Sequence, residues 1–252
     1  MPIVIFFTYI GGFLFWLLIA IFAFVAFAEY LHLLRLKGYH PPKTAWISLL
    51  LVLLLVPVSV HSNEGLITWM MPFLLLLLDT GPHRERGGAS EDIATAAMGL
   101  LFISAGIFSI WMLRTESFGL LLYFFFLIWA FDTGGYVFGK FFGKRQLAPE
   151  SSPKKSVEGL IGGYIFAFAL SALVRYGFGA KSIIPNFLPH LITVFFVSTI
   201  AQLGDLTESA WKREARVKDS SGVFPGHGGV LDRIDSLVAS APFFLVLRNL
   251  IG

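Results

Sequence analysis

Residues 204–235 read GDLTESAWKREARVKDSSGVFPGHGGVLDRID. This is a charged island in a chain otherwise dominated by apolar runs, so it bears on both the fold class and the place of the chemistry. Acids stand at Asp205, Glu208, Glu214, Asp219, Asp232 and Asp235, and bases at Lys212, Arg213, Arg216, Lys218 and Arg233. Between the two halves, Pro225-Gly226-His227-Gly228-Gly229 is a turn with almost no side-chain bulk. Carboxylates hold divalent cations through oxygen, while Lys, Arg and bare glycine amides hold phosphate. One segment carrying both is what a metal-dependent reaction on a nucleotide or phospholipid phosphate requires. A solvated charged loop between two spans is the bland alternative. The glycine turn and an Asp-x-x-Asp entering an apolar run argue against it.

Composition sets the solvent around that island. The chain is 56% hydrophobic and 14% charged, with a mean hydropathy of +0.76. Ordinary globular domains are about 45–50% apolar and about 25% charged. With apolar runs this long, the expected class is all-α: a polytopic helical integral membrane protein with about eight transmembrane helices. A net charge of only +3 gives no reason to expect nucleic acid as a partner. The absence of cysteine excludes disulfides, thiolate catalysis and Cys-ligated metal centres. The first apolar run lacks a basic leader and is too long for a signal peptide, so it reads as a span.

The expected spans are Ile3–Ala28, Thr44–Val60, a short Leu66–Leu78, Ile93–Leu113, Phe118–Phe138, Gly159–Tyr176, Leu191–Leu203 and Ser236–Ile251. Residues 1–92 form an N-terminal set of helices. Residues 93–252 form the catalytic region, with motif loops at 140–158 and 204–235. In this layout fifteen of the nineteen Lys and Arg residues fall in the loops after spans one, three, five and seven. That bias places both motif loops in the cytoplasm, where nucleoside triphosphates are available, and both termini outside.

Four acids, Asp132, Asp205, Asp232 and Asp235, lie at or inside the end of an apolar run. A carboxylate at membrane depth is costly unless paired or bound to a cation, which makes each a functional candidate. Asp232 and Asp235 are three apart and face the same way on a helix. With Asp205 from another helix they would suit Mg²⁺, which keeps waters and shares substrate phosphates. Ion pairs with Arg233 or Lys218 that anchor a helix end are the alternative. Lys212, Arg213 and Lys218 are candidates for phosphate, although basic loops also follow from topology alone. His227 is a candidate phosphate donor or general acid. The stretch Ser152-Pro-Lys154-Lys155-Ser156-x-Glu158-Gly159 has the makings of a helix-start phosphate site, with Gly162-Gly163 just beyond. No Walker loop, His-Glu-x-x-His or Gly-x-Ser-x-Gly occurs.

These residues together resemble a known family. Ser209-x-x-Lys212-Arg213, Lys218-Asp219-x-x-Gly222 and Pro225-Gly-His227-Gly228-Gly229-x-x-Asp232-Arg233-Ile234-Asp235 are similar to the signature of phosphatidate cytidylyltransferases, or CDP-diacylglycerol synthases. Phe131-Asp132-x-x-x-Tyr136, the Ser152–Gly159 stretch and Gly204-Asp205-x-x-Glu208-Ser209 fit the same family. The resemblance covers the chain from Trp129 onward. It implies a Mg²⁺-dependent transfer of cytidylyl from CTP to phosphatidic acid, with pyrophosphate released, in a bacterial inner-membrane enzyme that is often a homodimer. By position it implies Asp205 and Asp232 as metal ligands and Lys218 and Asp219 beside the nucleotide, which makes these four the candidate catalytic residues. Asp235 joins the metal candidates through its helix spacing from Asp232. Lys154, Lys155, Ser156, Lys212, Arg213, His227, Gly228 and Arg233 would bind substrate. The role of Asp132 stays open.

A CDP-archaeol synthase would share the motif but take an isoprenoid ether phosphate. A CDP-alcohol phosphotransferase would need an Asp-Gly-x-x-Ala-Arg, which is absent. A membrane transporter is the alternative from another class. It would show acids along several spans and half-to-half symmetry, and neither is visible here.

Overall fold

Two adjacent glycines divide the first apolar run. In the computed structural model, which describes residues 2–59, 75–76, 89–177, 186–223, 226 and 228–251, helix α1 (Pro2–Ile10) stops at Gly11 and α2 (Gly12–Leu36) starts afresh. Gly11 and Gly12 have φ of 69° and 53°, in the left-handed region that favours glycine. The carbonyls freed at the end of α1 are met by Arg114, whose Nε donates to Thr8 O at 2.5 Å and Nη2 to Tyr9 O at 3.1 Å. The continuous span expected over Ile3–Ala28 is therefore a short helix followed by a long one. Nine residues rise only about 14 Å, too little to cross about 30 Å of hydrocarbon.

Helix α2 also runs eight residues past its expected end, because Tyr30, Leu31, Leu33 and Leu34 continue the buried face. It closes in a Schellman motif. Gly38, with φ 89°, donates to Arg35 O, and Tyr39 N donates to Leu34 O at 3.0 Å. Then come α3 (Thr44–Ser59), α4 (Ala89–Glu116) and α5 (Phe118–Phe142). A small antiparallel hairpin follows, β1 (Gln146–Ala148) against β2 (Ser152–Ser156), where only a loop was expected. The chain finishes with α6 (Val157–Gly177), α7 (Phe187–Glu214) and α8 (Leu231–Ile251). The all-α membrane architecture stands. Among the described residues, five helices (α2, α4, α5, α6 and α7) are long and apolar enough to cross a membrane, and α3 is a shorter apolar helix. The expected Leu66–Leu78 span, apart from residues 75–76, lies outside the described residues.

Close packing of these helices uses small residues, as is common where lipid gives no hydrophobic drive between helices. A Cβ on Gly134 of α5 would sit 2.5 Å from Gly162 O and 2.6 Å from Phe166 Cβ of α6. A Cβ on Gly159 would reach Gly135 O at 2.8 Å, and one on Gly162 would fall inside the Phe138 side chain. The glycine pairs 134–135 and 162–163 thus let α5 and α6 touch backbone to backbone. Gly204 does the same for α7 against Asp235 O of α8. The outer faces remain apolar, with Phe6, Phe13, Leu54, Phe141, Leu188 and Leu250 exposed.

Polar groups collect at the ends. Lys37 pairs with Glu214, His40 N donates to Asp92 Oδ1 at 2.8 Å, and Arg213 Nε donates to Ser151 O at 3.2 Å. The loop after α2, the hairpin and the end of α7 therefore share one end. Arg248 pairs with Glu116 at the other.

Candidate active site

The apolar run Leu191–Leu203 was expected to end in a loop at Gly204. Instead α7 continues to Glu214, because Trp211 packs edge-on against Tyr30 of α2 (4.9 Å between ring centroids) and Phe102 of α4 (5.4 Å). Helical continuation places Asp205, Glu208, Ser209 and Lys212 at i, i+3, i+4 and i+7, on one face. The helix ends with Val217 N donating to Lys212 O and Arg216 N to Arg213 O, both at 2.9 Å. Arg216 occupies the left-handed position with φ 59°, where glycine is usual.

Lys212 lies between two carboxylates. Its ammonium is 2.5 Å from Glu208 Oε2 and contacts Asp232 Oδ1. Glu208 is 1% exposed. The other Asp232 oxygen, Oδ2, accepts the Gly229 N–H (2.7 Å), the Ser220 N–H (3.0 Å) and the Ser220 hydroxyl (2.8 Å). Asp232 thus ties the turn to the start of α8. Gly228 has φ 80°, and a Cβ there would be 2.7 Å from Asp232 Oδ2. Asp235, one turn on, is buried and accepts the Ser236 N–H at 2.7 Å.

The hairpin supplies the opposite wall. Lys155 of β2 places its ammonium 2.5 Å from Asp205 Oδ2. Ser156 caps α6 by accepting the Gly159 N–H at 3.0 Å. Glu158 Oε2 accepts the Lys144 and Arg145 N–H groups at 2.9 and 3.1 Å, closing the loop on itself.

These groups line two adjoining cavities. The larger, about 940 Å³, has Leu18, Ile19, Phe22, Ile107 and Phe125 on its apolar side. On its charged side stand Asp132, Asp205, Glu208, Lys212, Asp219, Asp232, Arg233 and Asp235. The smaller, about 430 Å³, is lined by Lys140, Lys154, Lys155, Ser156, Tyr136 and Gln202, and shares Asp132 and Asp205 with the first. Lys218 is exposed on the 216–223 loop beside them, and Arg213 points to the hairpin through Ser151 O. His227 lies outside the described residues.

Among the described residues, no three Asp, Glu or His side chains are drawn together as a ready-made metal site. Asp205, Asp232 and Asp235 instead face one cavity from two helices, with the Lys155 and Lys212 ammonium groups on two of them. The donor chemistry is oxygen throughout, which suits a hard divalent cation that keeps waters and shares phosphate oxygens. The ammonium groups already supply positive charge where such a cation would sit.

Two residues escaped the sequence reading. Glu208 belongs to the Gly204-Asp205-x-x-Glu208-Ser209 motif but has no role assigned from sequence, yet at 1% exposed it is the most buried acid of the site. Glu29 falls just beyond the expected Ile3–Ala28 span, but it is 4% exposed in α2 and faces donors on Ser220, Ser221, Val230 and Leu231. The signal was present, since Glu29 ends an uncharged run as Asp132 interrupts one.

The chain is similar to known proteins over nearly its whole length. The cytidylyltransferase family matches over residues 1–251. A phosphatidate cytidylyltransferase of Haemophilus influenzae is 54% identical over 127 residues, covering 50% of this chain and 44% of that protein. One from Bacillus subtilis is 48% identical over 124 residues, 49% of this chain and 45% of that protein. One from Staphylococcus saprophyticus is 32% identical over 238 residues, 94% of this chain and 90% of the relative. On the family match across its length and on this near-complete relative, the chain belongs to the cytidylyltransferase family.

Proposed function

We propose that this protein transfers CMP from CTP to phosphatidic acid, giving CDP-diacylglycerol and pyrophosphate. The observation that carries the reading is a single cavity of about 940 Å³ with an apolar wall and a wall of carboxylates and lysine. That is the shape a substrate with acyl chains and a phosphate head requires. The names of the relatives support the same reaction.

In this reaction an oxygen of the lipid phosphate attacks the α-phosphorus of CTP, and the bond to the β-phosphate oxygen breaks to release pyrophosphate. Positioning and charge neutralisation suffice, and no covalent nucleophile is needed. Lys212, held by Glu208 and Asp232, and Lys155, held by Asp205, stand ready to bind phosphate oxygens. Lys154 and Lys140 add positive charge at the smaller cavity. Asp205, Asp232 and Asp235 would hold Mg²⁺. When bound, it would neutralise charge developing on the phosphate oxygens. An inner-membrane setting is proposed on family resemblance, and the loop bias of Lys and Arg supports the charged end facing the cytoplasm. A homodimer is proposed on family resemblance alone.

The test is pyrophosphate release from CTP by purified protein in detergent. Release that requires both phosphatidic acid and Mg²⁺ is expected. Release only with an isoprenoid ether phosphate, or none with any lipid, contradicts the assignment.

A further inference from the structure

A charged side chain of the N-terminal half reaches the loop and helix start that carry Asp219 and Asp232. Glu29 Oε1 accepts the Ser221 hydroxyl (2.5 Å) and the Val230 N–H (3.0 Å). Its Oε2 accepts the Leu231 N–H (2.7 Å) and lies 2.9 Å from the Ser220 Oγ, whose one proton it shares with Asp232 Oδ2. The two N–H groups belong to the free donors at the start of α8, where a carboxylate also meets the positive end of the helix dipole. The two hydroxyls lie on the other side of the glycine turn. One carboxylate therefore staples both strands of the turn to α2. The fit is tight: a Cβ on Gly229 would lie 2.5 Å from each Glu29 oxygen.

What the staple holds is functional surface. Ser220 follows Asp219, which lines the larger cavity, and its hydroxyl touches both Glu29 Oε2 and Asp232 Oδ2. Further back along α2, Leu18, Ile19 and Phe22 line the apolar side of the same cavity. One helix thus carries part of the lipid wall and, at its other end, the anchor of the turn.

We infer that Glu29 is a positioning residue of the transfer, setting where Asp219, Gly228 and Asp232 stand toward the nucleotide. The inference rests on the proposed function. Each carboxylate oxygen faces one backbone N–H, so in either orientation glutamine would turn its N–H₂ toward an amide N–H, and Glu29→Gln breaks the staple at nearly constant volume. Loss of one interaction worth about 1.4 kcal/mol is a tenfold change in an equilibrium.

Glu29→Gln and the milder Ser221→Ala should be assayed with CTP and phosphatidic acid varied separately, alongside amide exchange. For Glu29→Gln the KM for CTP is expected to rise roughly tenfold, and the KM for lipid to move less than about twofold. Ser221→Ala should shift in the same direction by less. Exchange at Val230 and Leu231 should accelerate in Glu29→Gln while Phe124 in α5 stays protected. An unchanged KM for CTP in both variants, or equal losses toward both substrates, overturns the inference and leaves Glu29 a purely structural cap. If the unaltered protein shows no CTP turnover, the functional reading fails. Unchanged Val230 and Leu231 exchange would then separately refute the staple.

Discussion

Lys155, on the second strand of the hairpin, places its ammonium 2.5 Å from Asp205 Oδ2 on α7. This contact joins the two motif stretches that the sequence keeps far apart, and it does so where the two cavities share Asp132 and Asp205. The lysine neutralises a carboxylate next to an apolar wall and stays within reach of any phosphate entering the smaller cavity.

Asp232→Asn tests the acid at the head of α8. The variant keeps one acceptor oxygen for the Gly229 and Ser220 donors but loses the charge that faces Lys212. Turnover is expected to fall by about a hundredfold or more, with membrane insertion intact. Activity near that of the unaltered protein would remove Asp232 from the chemistry.

Lys212→Ala should destabilise the fold as well as stop the reaction. It leaves Glu208, 1% exposed, and Asp232 as uncompensated charges. Breaking a buried pair from one side costs about 3 kcal/mol. Adding Glu208→Gln to Lys212→Ala should recover much of the lost denaturation midpoint without recovering activity. Recovery of both would mean that Lys212 serves stability alone.

Gly134→Leu probes the contact between α5 and α6. Its side chain has to enter space held by Gly162 O and Phe166, and overpacking of this kind costs about 1–3 kcal/mol. A lower denaturation midpoint in detergent is expected. Gly12→Ala, at a position where nothing lies within 4 Å of the Cβ, adds no steric contact but is strained by the φ of 53°. Thermal melts of the pair separate crowding from backbone strain.

Arg216→Gly should stabilise the protein. Arg216 holds φ 59° at the end of α7, a conformation that costs a non-glycine residue about 1–2 kcal/mol. Glycine relieves this but loses more backbone entropy, so the net gain is up to about 1 kcal/mol. A fall in the midpoint would show that the Arg216 side chain contributes more than its backbone costs.

The architecture was readable where apolar runs are long and bounded by polar turns. Phe118–Phe138, Gly159–Tyr176 and Thr44–Val60 each became a helix close to its expected bounds. The reading failed where one local feature outweighed hydropathy. Gly11 and Gly12 look harmless inside an apolar run, yet their positive φ splits it. The end of α7 is as polar as any loop, but Trp211 finds aromatic partners on α2 and α4 that keep it helical. The residue types at the charged end were visible because acids are conspicuous among apolar neighbours. Their partners were not: Lys155 with Asp205, and Glu29 with the glycine turn, are contacts between elements that no spacing rule connects.

The most direct measurement is transfer of radiolabel from CTP into lipid, with purified unaltered protein and Asp205→Asn side by side, each with Mg²⁺ and with a chelator. Labelled CDP-diacylglycerol formed by the unaltered protein from phosphatidic acid, lost on chelation and lost in Asp205→Asn, is the expected result. Equal labelling by Asp205→Asn, or no labelled lipid from the unaltered protein, would contradict the assignment of this charged cavity as the site of cytidylyl transfer.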